Sequence, residues 1–185
     1  NDQVVITQAL FNPTTPVIGG IQSTDRLPSA SLTWAYSDAA QVRLGYSTTL
    51  SRPDFRELST APWIDPLLDI RVTGNPNLKQ AEIESIDLRW EYYFSPSESF
   101  SAALFSKQFT NPIELVLVPA SGELLNLKNA KEATNQGIEF DYYRAFSGVE
   151  KWDFLPDFLQ NLPWQDIYLG ANYAWIESEI DLGDQ

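Results

Sequence analysis

The chain has 185 residues and a formal net charge of −13, with 12 Lys+Arg against 25 Asp+Glu. That balance excludes a basic nucleic-acid-binding surface. The absence of histidine and cysteine excludes disulfides, thiolate metal sites, cysteine nucleophiles and hydrolases that need a histidine base.

No uninterrupted apolar run approaches the roughly 18 residues of a membrane helix, which counts against a helical membrane protein and not against a barrel. The chain contains no methionine, so residue 1 is not read as a natural start. The expectation is a processed or partial product.

In chain order, Val4 to Phe11 is a weak strand candidate. The segment 30–37 places Leu32, Trp34 and Tyr36 on one face. A tight turn at Ser37-Asp38-Ala39-Ala40 leads into 41–50, where Val42, Leu44, Tyr46 and Thr48 oppose Arg43, Gly45, Ser47 and Thr49. Residues 82–94 carry the strongest pattern. Ile86, Leu88, Trp90, Tyr92 and Phe94 alternate with Ser85, Asp87, Arg89, Glu91 and Tyr93. An ordinary soluble strand has about 5–6 residues, whereas a membrane-crossing strand needs about 9–11 with lipid-facing and polar positions alternating. This segment meets the second description.

The polar turn Ser95-Pro96-Ser97-Glu98 precedes a strand at 99–110 whose faces stay ambiguous, since Phe100 and Leu104 oppose Phe105 and Phe109. Alternation returns at 136–146, with Ile138, Phe140, Tyr142 and Phe146 against Gly137, Glu139, Asp141 and Tyr143. The last strand, about 166–178, aligns Ile167, Leu169, Ala171, Tyr173 and Trp175. The total is about seven strands. Short turns at 38–40 and 95–98 alternate with long links at 51–81 and 111–129, as periplasmic turns alternate with extracellular loops in bacterial barrels. The link 147–165 breaks this rhythm. Its Phe154, Leu155, Phe158, Leu159 and Leu162 have helical spacing and predict a brief amphipathic turn on the barrel rim. Residues 147–185 carry eight acids against one base, Lys151, and read as a solvated acidic rim rather than a cation site. The fold class is therefore all-β, an antiparallel transmembrane β-barrel segment. Seven strands do not close a bacterial single-chain barrel, which uses an even number, so the chain reads as an interior slice.

Specific words then carry a resemblance. They are Gly45-Tyr46-Ser47-Thr48-Thr49-Leu50 followed by Arg52-Pro53-Asp54-Phe55-Arg56-Glu57-Leu58-Ser59, then Gly74-Asn75-Pro76-Asn77-Leu78-Lys79 and Trp90-Glu91-Tyr92-Tyr93-Phe94. Asn111-Pro112-Ile113-Glu114, Gly137-Ile138-Glu139-Phe140 and Asn172-Tyr173-Ala174-Trp175 complete the series. In this order and spacing, from about Leu27 to Ile180, the chain resembles the C-terminal half of the barrel of TonB-dependent outer-membrane receptors. The resemblance implies a barrel of about 22 strands with a plugged lumen in a Gram-negative outer membrane. It further implies capture of a scarce nutrient (a ferric siderophore, a cobalamin or an oligosaccharide) at extracellular loops. Import would be driven by the TonB energy-coupling complex acting on a plug. Neither plug nor coupling box is present in residues 1–185. The implied partners are outer-membrane lipid, the parent's plug domain, the coupling complex and a small nutrient ligand, with no nucleic acid. No enzyme activity, cofactor or metal is implied.

Three groups of residues are candidates. Arg52, Asp54, Arg56, Trp63 and Asp65 in the 51–81 loop could capture a ligand, through guanidinium groups for an anion and an indole for stacking. Equally, Pro53 and its charged neighbours could fix the loop base, the preferred reading for Arg52 to Phe55. Asp87, Arg89, Glu91, Glu139 and Asp141, with Lys107 and Glu114 in the same class, are candidate lumen residues expected to pair with one another. Trp34, Tyr36, Trp90, Tyr92, Phe94, Tyr142 and Trp175 are expected to form a lipid-facing aromatic belt rather than a carbohydrate platform. The alternative class is a soluble all-β carbohydrate-binding module. A glycosidase would need two carboxylates about 5–10 Å apart in a cleft, and no sequence feature singles out such a pair.

Overall fold

A computed structural model describes residues 3–9, 12–21, 23–67, 69–118, 124–146, 156 and 163–183. Strand β1 (Gln3–Ala9) pairs antiparallel with β2 (Asn12–Ile21) as a separate hairpin. Six long strands then form one antiparallel sheet: β3 (Ser29–Ser37), β4 (Ala40–Ser51), β7 (Ala81–Ser95), β8 (Glu98–Thr110), β11 (Glu132–Ala145) and β12 (Tyr168–Asp181). Their spatial order, β12-β11-β8-β7-β4-β3, follows the chain, so the sheet is a meander. Strand β7 runs for 15 residues and β8 for 13, the lengths of membrane-crossing rather than soluble strands.

The period-two pattern holds across the whole sheet because paired residues share a face. Leu88 lies between Leu44 and Leu104, Trp90 between Val42 and Ala102, and Tyr92 between Ala40 and Phe100. Leu104 continues to Ile138 and then Trp175; Ala102 continues to Phe140 and then Tyr173. This register settles the strand the sequence left ambiguous. Phe100 and Leu104 join the aromatic face, and Phe105 and Phe109 lie on the opposite, charged one.

The long links are not irregular. Residues 51–81 contain β5 (Trp63–Asp65) and β6 (Ile70–Thr73), while the second link contributes β9 (Ile113–Leu117) and β10 (Leu124–Asn129). These four make a second sheet in the order β5-β6-β10-β9, in which β6 and β10 pair parallel and so join the two loops. Leu58, Leu78 and Leu127 are buried here, with Trp63 and Ile113 packed against them.

Two sequence expectations change. Strand β2 was not foreseen, because Pro13, Pro16 and the Gly19-Gly20 pair depress strand propensity. The long links hold strands of 3 to 6 residues, too short for alternation to register. The amphipathic turn expected over 147–165 lies almost entirely outside the described residues. From 163 onward the backbone forms a short 3-10 turn at Trp164–Asp166.

Candidate functional site

The two ends of the charged face differ. In the half nearer the short turns it carries a connected polar belt. The Arg89 guanidinium donates to Asp141 at 3.2 Å and to the Ser101 hydroxyl at 3.1 Å, and stands 3.7 Å from Glu139. On the next strands Arg43 pairs with Glu91 at 3.1 Å, and Glu91 also accepts from the Gln41 amide and the Tyr93 hydroxyl. Register explains the convergence: Glu91, Ser101 and Asp141 form one row across β7, β8 and β11, and Arg89, Ala103 and Glu139 the adjacent row. Asp87 lies beside Gly45, where any Cβ would collide with its carboxylate. Asp87 also borders a shallow depression with Lys107 and Glu139.

Nearer the long links the same face turns apolar. Ile83, Phe109, Ala133 and Ile180 are successive partners along one row of β7, β8, β11 and β12. Above this row the loop sheet presents Ile113, Leu115 and Leu127. Between the two surfaces lies a cavity of about 750 Å³, bordered also by Glu57, Glu114 and Glu179. This row was not foreseen as a site. Its only signal was the break in alternation at Phe105 and Phe109, where aromatics replace the charges expected on that face.

The roof of the cavity is held by polar contacts between loops. Asn129 accepts from the Lys79 amide at 2.8 Å and donates to the Lys79 and Asn111 carbonyls at 2.9 and 2.7 Å. Asn75 donates to the Leu127 carbonyl at 3.0 Å, and Asn126 to the Thr73 hydroxyl at 2.9 Å. Gly74 is required where it stands, because the carbonyls of Arg56, Glu57 and Ser59 cross above it and leave no room for a Cβ.

The five loop candidates do not converge on the cavity. Arg52 pairs with Asp25 at 3.1 Å, and the Asp25 carboxylate also accepts from Ser23 and Gln80. The Ser23 hydroxyl, and then Gln80 and Arg52, hold the Asp25 carboxyl below its ordinary range. The Asp54 amide donates to the Glu57 carboxylate, closing the turn that carries Leu58. Arg56 sits 5.5 Å from the centroid of the Trp63 ring, a cation–π distance, and Trp63 packs on the leucine cluster. Asp65 accepts from the Leu67 amide at 2.9 Å in the turn between β5 and β6.

The belt candidates lie together on the aromatic face of the six-stranded sheet. Trp90 donates its indole N–H to the Tyr36 hydroxyl at 2.8 Å, and Trp34 packs on Tyr36. Trp90 meets Phe100 edge-on, and Tyr92 meets Phe94 in the same manner. Tyr142 and Trp175 share this face by register. Among the described residues no group of three acidic side chains is arranged to hold a metal ion.

Known structures share this arrangement. The siderophore receptor PirA from Pseudomonas aeruginosa superposes with a TM-score of 0.58 at 16% identity, over 87% of this chain and 25% of its own. The ferric enterobactin receptor PfeA of the same organism gives 0.51 at 17% identity, over 66% of this chain and 20% of its own. The chain thus spans about a quarter or less of the receptors it matches, and at such identities the likeness is one of fold. No curated protein sequence matches. The sequence matches the TonB dependent receptor-like, beta-barrel family over residues 7–185, nearly its whole length, and the members of that family are transporters rather than enzymes. With that match added to a meander of membrane-length strands, one face aromatic and the other charged, the chain belongs to the β-barrel domain of the TonB-dependent receptors.

Proposed function

We propose that this chain forms part of the wall of a Gram-negative outer-membrane receptor that captures a scarce nutrient at its extracellular loops and imports it with TonB-coupled energy. The observation that carries this reading is the uncovered aromatic face. Trp34 is 64% exposed, Tyr173 63% and Trp175 54%. A soluble sheet buries its apolar face on a second layer, whereas a barrel wall turns it to lipid. The aromatic face is then the lipid side, and the belt of Arg43, Arg89, Glu91, Glu139 and Asp141 lines the lumen, beside the plug domain of the whole receptor. The long-link end is extracellular, and the loop candidates from Arg52 to Asp65 shape the ligand's entrance. Iron chelates head the candidate ligands, because PirA is a siderophore receptor and PfeA a ferric enterobactin receptor. The rival, a soluble carbohydrate-binding module, lacks a second layer over this face among the described residues.

The test is fractionation of the source cells with an antibody against residues 51–81, combined with iron uptake in a strain lacking the receptor. A large outer-membrane protein, and uptake that falls on deletion and on collapse of the proton-motive force, is the expected outcome. A soluble protein would sink the reading. Uptake indifferent to the proton-motive force would remove the energy coupling alone.

A further inference from the structure

The aromatic face of the wall changes character before its strands end. Leu44, Leu88, Leu104, Ile138 and Trp175 are partners in one apolar row across β4, β7, β8, β11 and β12. One row nearer the long links, the same face reads Tyr46, Ile86, Ser106, Gln136 and Glu177. The row after that reads Thr48, Glu84, Gln108, Thr134 and Glu179, and the last adds Glu82, Glu132 and Asp181 to a single leucine, Leu50. Side-chain contacts agree with the register. The Tyr46 hydroxyl donates to Glu84 at 3.0 Å, the Gln136 amide to Glu177 at 3.3 Å, and Lys131 to Asp181 at 3.1 Å.

A carboxylate turned toward hydrocarbon loses its hydration, so these acids belong where water or lipid headgroups reach them. Leucine and isoleucine gain from the opposite placement. The apolar stretch has the height such a border demands. From Ile86 to Phe94, β7 covers about 27 Å along the strand at about 3.4 Å per residue, or about 20 Å of height at a tilt of about 40°, close to the apolar band of about 25 Å in such barrels.

The border also runs obliquely to the pairing. On β7 it falls between Ile86 and Glu84; on β12 it falls between Trp175 and Glu177, although Glu177 shares the row of Ile86. Rows lie perpendicular to the strands, and barrel strands tilt by about 35–45°, so a flat membrane surface must cut the rows at a slant. A patch shaped for a partner protein has no reason to follow that slant.

We propose that the hydrocarbon of the outer leaflet ends on this wall along a slanting line, just above Ile86 on β7 and just above Trp175 on β12. The strand ends beyond that line face the polar headgroup layer. This rests on the receptor reading above and adds a depth to it. The part of β7 from Ile86 up to Ala81 then rises about 13 Å at the same tilt, which lifts the loop sheet clear of the hydrocarbon.

The experiment uses the whole receptor that carries this chain, reconstituted in phosphatidylcholine vesicles. Single-cysteine variants at Glu84, Ile86, Leu88, Trp175, Glu177 and Glu179 carry a nitroxide label. Collision with oxygen, which concentrates in lipid, is compared with collision with a water-soluble nickel chelate. Oxygen should dominate at Leu88, Ile86 and Trp175, and nickel at Glu84, Glu177 and Glu179, so that Ile86 and Glu177 differ within one row. As a second measurement, Gln108→Arg should keep the heat-modifiable gel shift and Ala102→Arg, on the same face of β8, should lose it. Oxygen dominance at Glu84 and Glu179, or loss of the shift in both arginine variants, carries the hydrocarbon to the strand ends and overturns the proposal while the receptor reading stands. Equal responses at Ile86 and Glu177 overturn the slanting border. Nickel dominance at Leu88 and Trp175, or a shift kept by both arginine variants, overturns the proposal and the receptor reading together.

Discussion

The six-stranded wall and the four-stranded loop sheet solve opposite problems with similar residues. The wall exposes its large apolar side chains and ties its charges together; the loop region buries Leu58, Leu78 and Leu127 in a small core of its own. Leu58 is fully buried, while Leu32 on β3 is 65% exposed. One chain thus contains apolar residues packed in a core and apolar residues left uncovered on a sheet face. On the proposed reading, the physical difference is what covers them: other side chains in the first case, lipid in the second.

Substitutions can separate the two. The largest effect is expected at the loop core. Leu58→Ala should cost about 3 kcal/mol by emptying a packed site. Protease should then cut the 51–81 loop while the barrel still shows a heat-modifiable gel shift. Leu88→Arg on the aromatic face should do the reverse. It places a charge toward lipid at about 2–4 kcal/mol near the bilayer midplane, so membrane assembly fails before the loop fold does. Trp90→Asp should impair insertion in the same way, and Asp87→Asn on the opposite face should be tolerated. Equal gel shifts for Trp90→Asp and Asp87→Asn would reject the assignment of faces. Asn129→Ala removes bonds to the backbone at both loop bases and should cost about 1–2 kcal/mol, read as faster hydrogen exchange at the Lys79 amide, which loses its acceptor.

The smallest effect concerns acid. The Asp25 carboxyl titrates below its ordinary value in the folded chain, so its contribution is complete above that ordinary value. It is lost only as pH falls through the lowered one. Proteolysis near residues 23–28 should therefore rise only in strong acid, and Asp25→Asn should remove that dependence. A rise near neutral pH would show that the Ser23, Gln80 and Arg52 contacts do not hold the loop.

The same contrast explains what was legible in the sequence. Residues 85–94 declare both faces because each borders a uniform medium, so polarity alternates without interruption. Strand β8 resisted reading because its charged face ends under the loop sheet, where Phe109 is the right residue and a charge would not be. Strand β2 hides behind Pro13 and Pro16, since pairing with β1 is a tertiary fact that local propensity does not report. The pairing of β6 with β10 joins Thr73 to Asn126 across the intervening β7, β8 and β9, a separation no local pattern encodes. Of the candidate residues, the aromatic stripe and the charged ladder were visible as periodicities. The cavity was not, because its walls come from different strands and are brought together only by the loops.

The joined loops also restrict how this surface can vary. Receptor loops face antibodies, phages and competing toxins, and free loops accept insertions at little entropic cost. Here an added residue between Gly74 and Lys79 would slide one loop against the other and misalign Asn75 and Asn129 with their carbonyl partners. At the β5–β6 turn, where Leu67 is 93% exposed, the same insertion disturbs neither strand pairing nor core. Antigenic change should therefore collect at that tip, while the two loop bases drift in length only together.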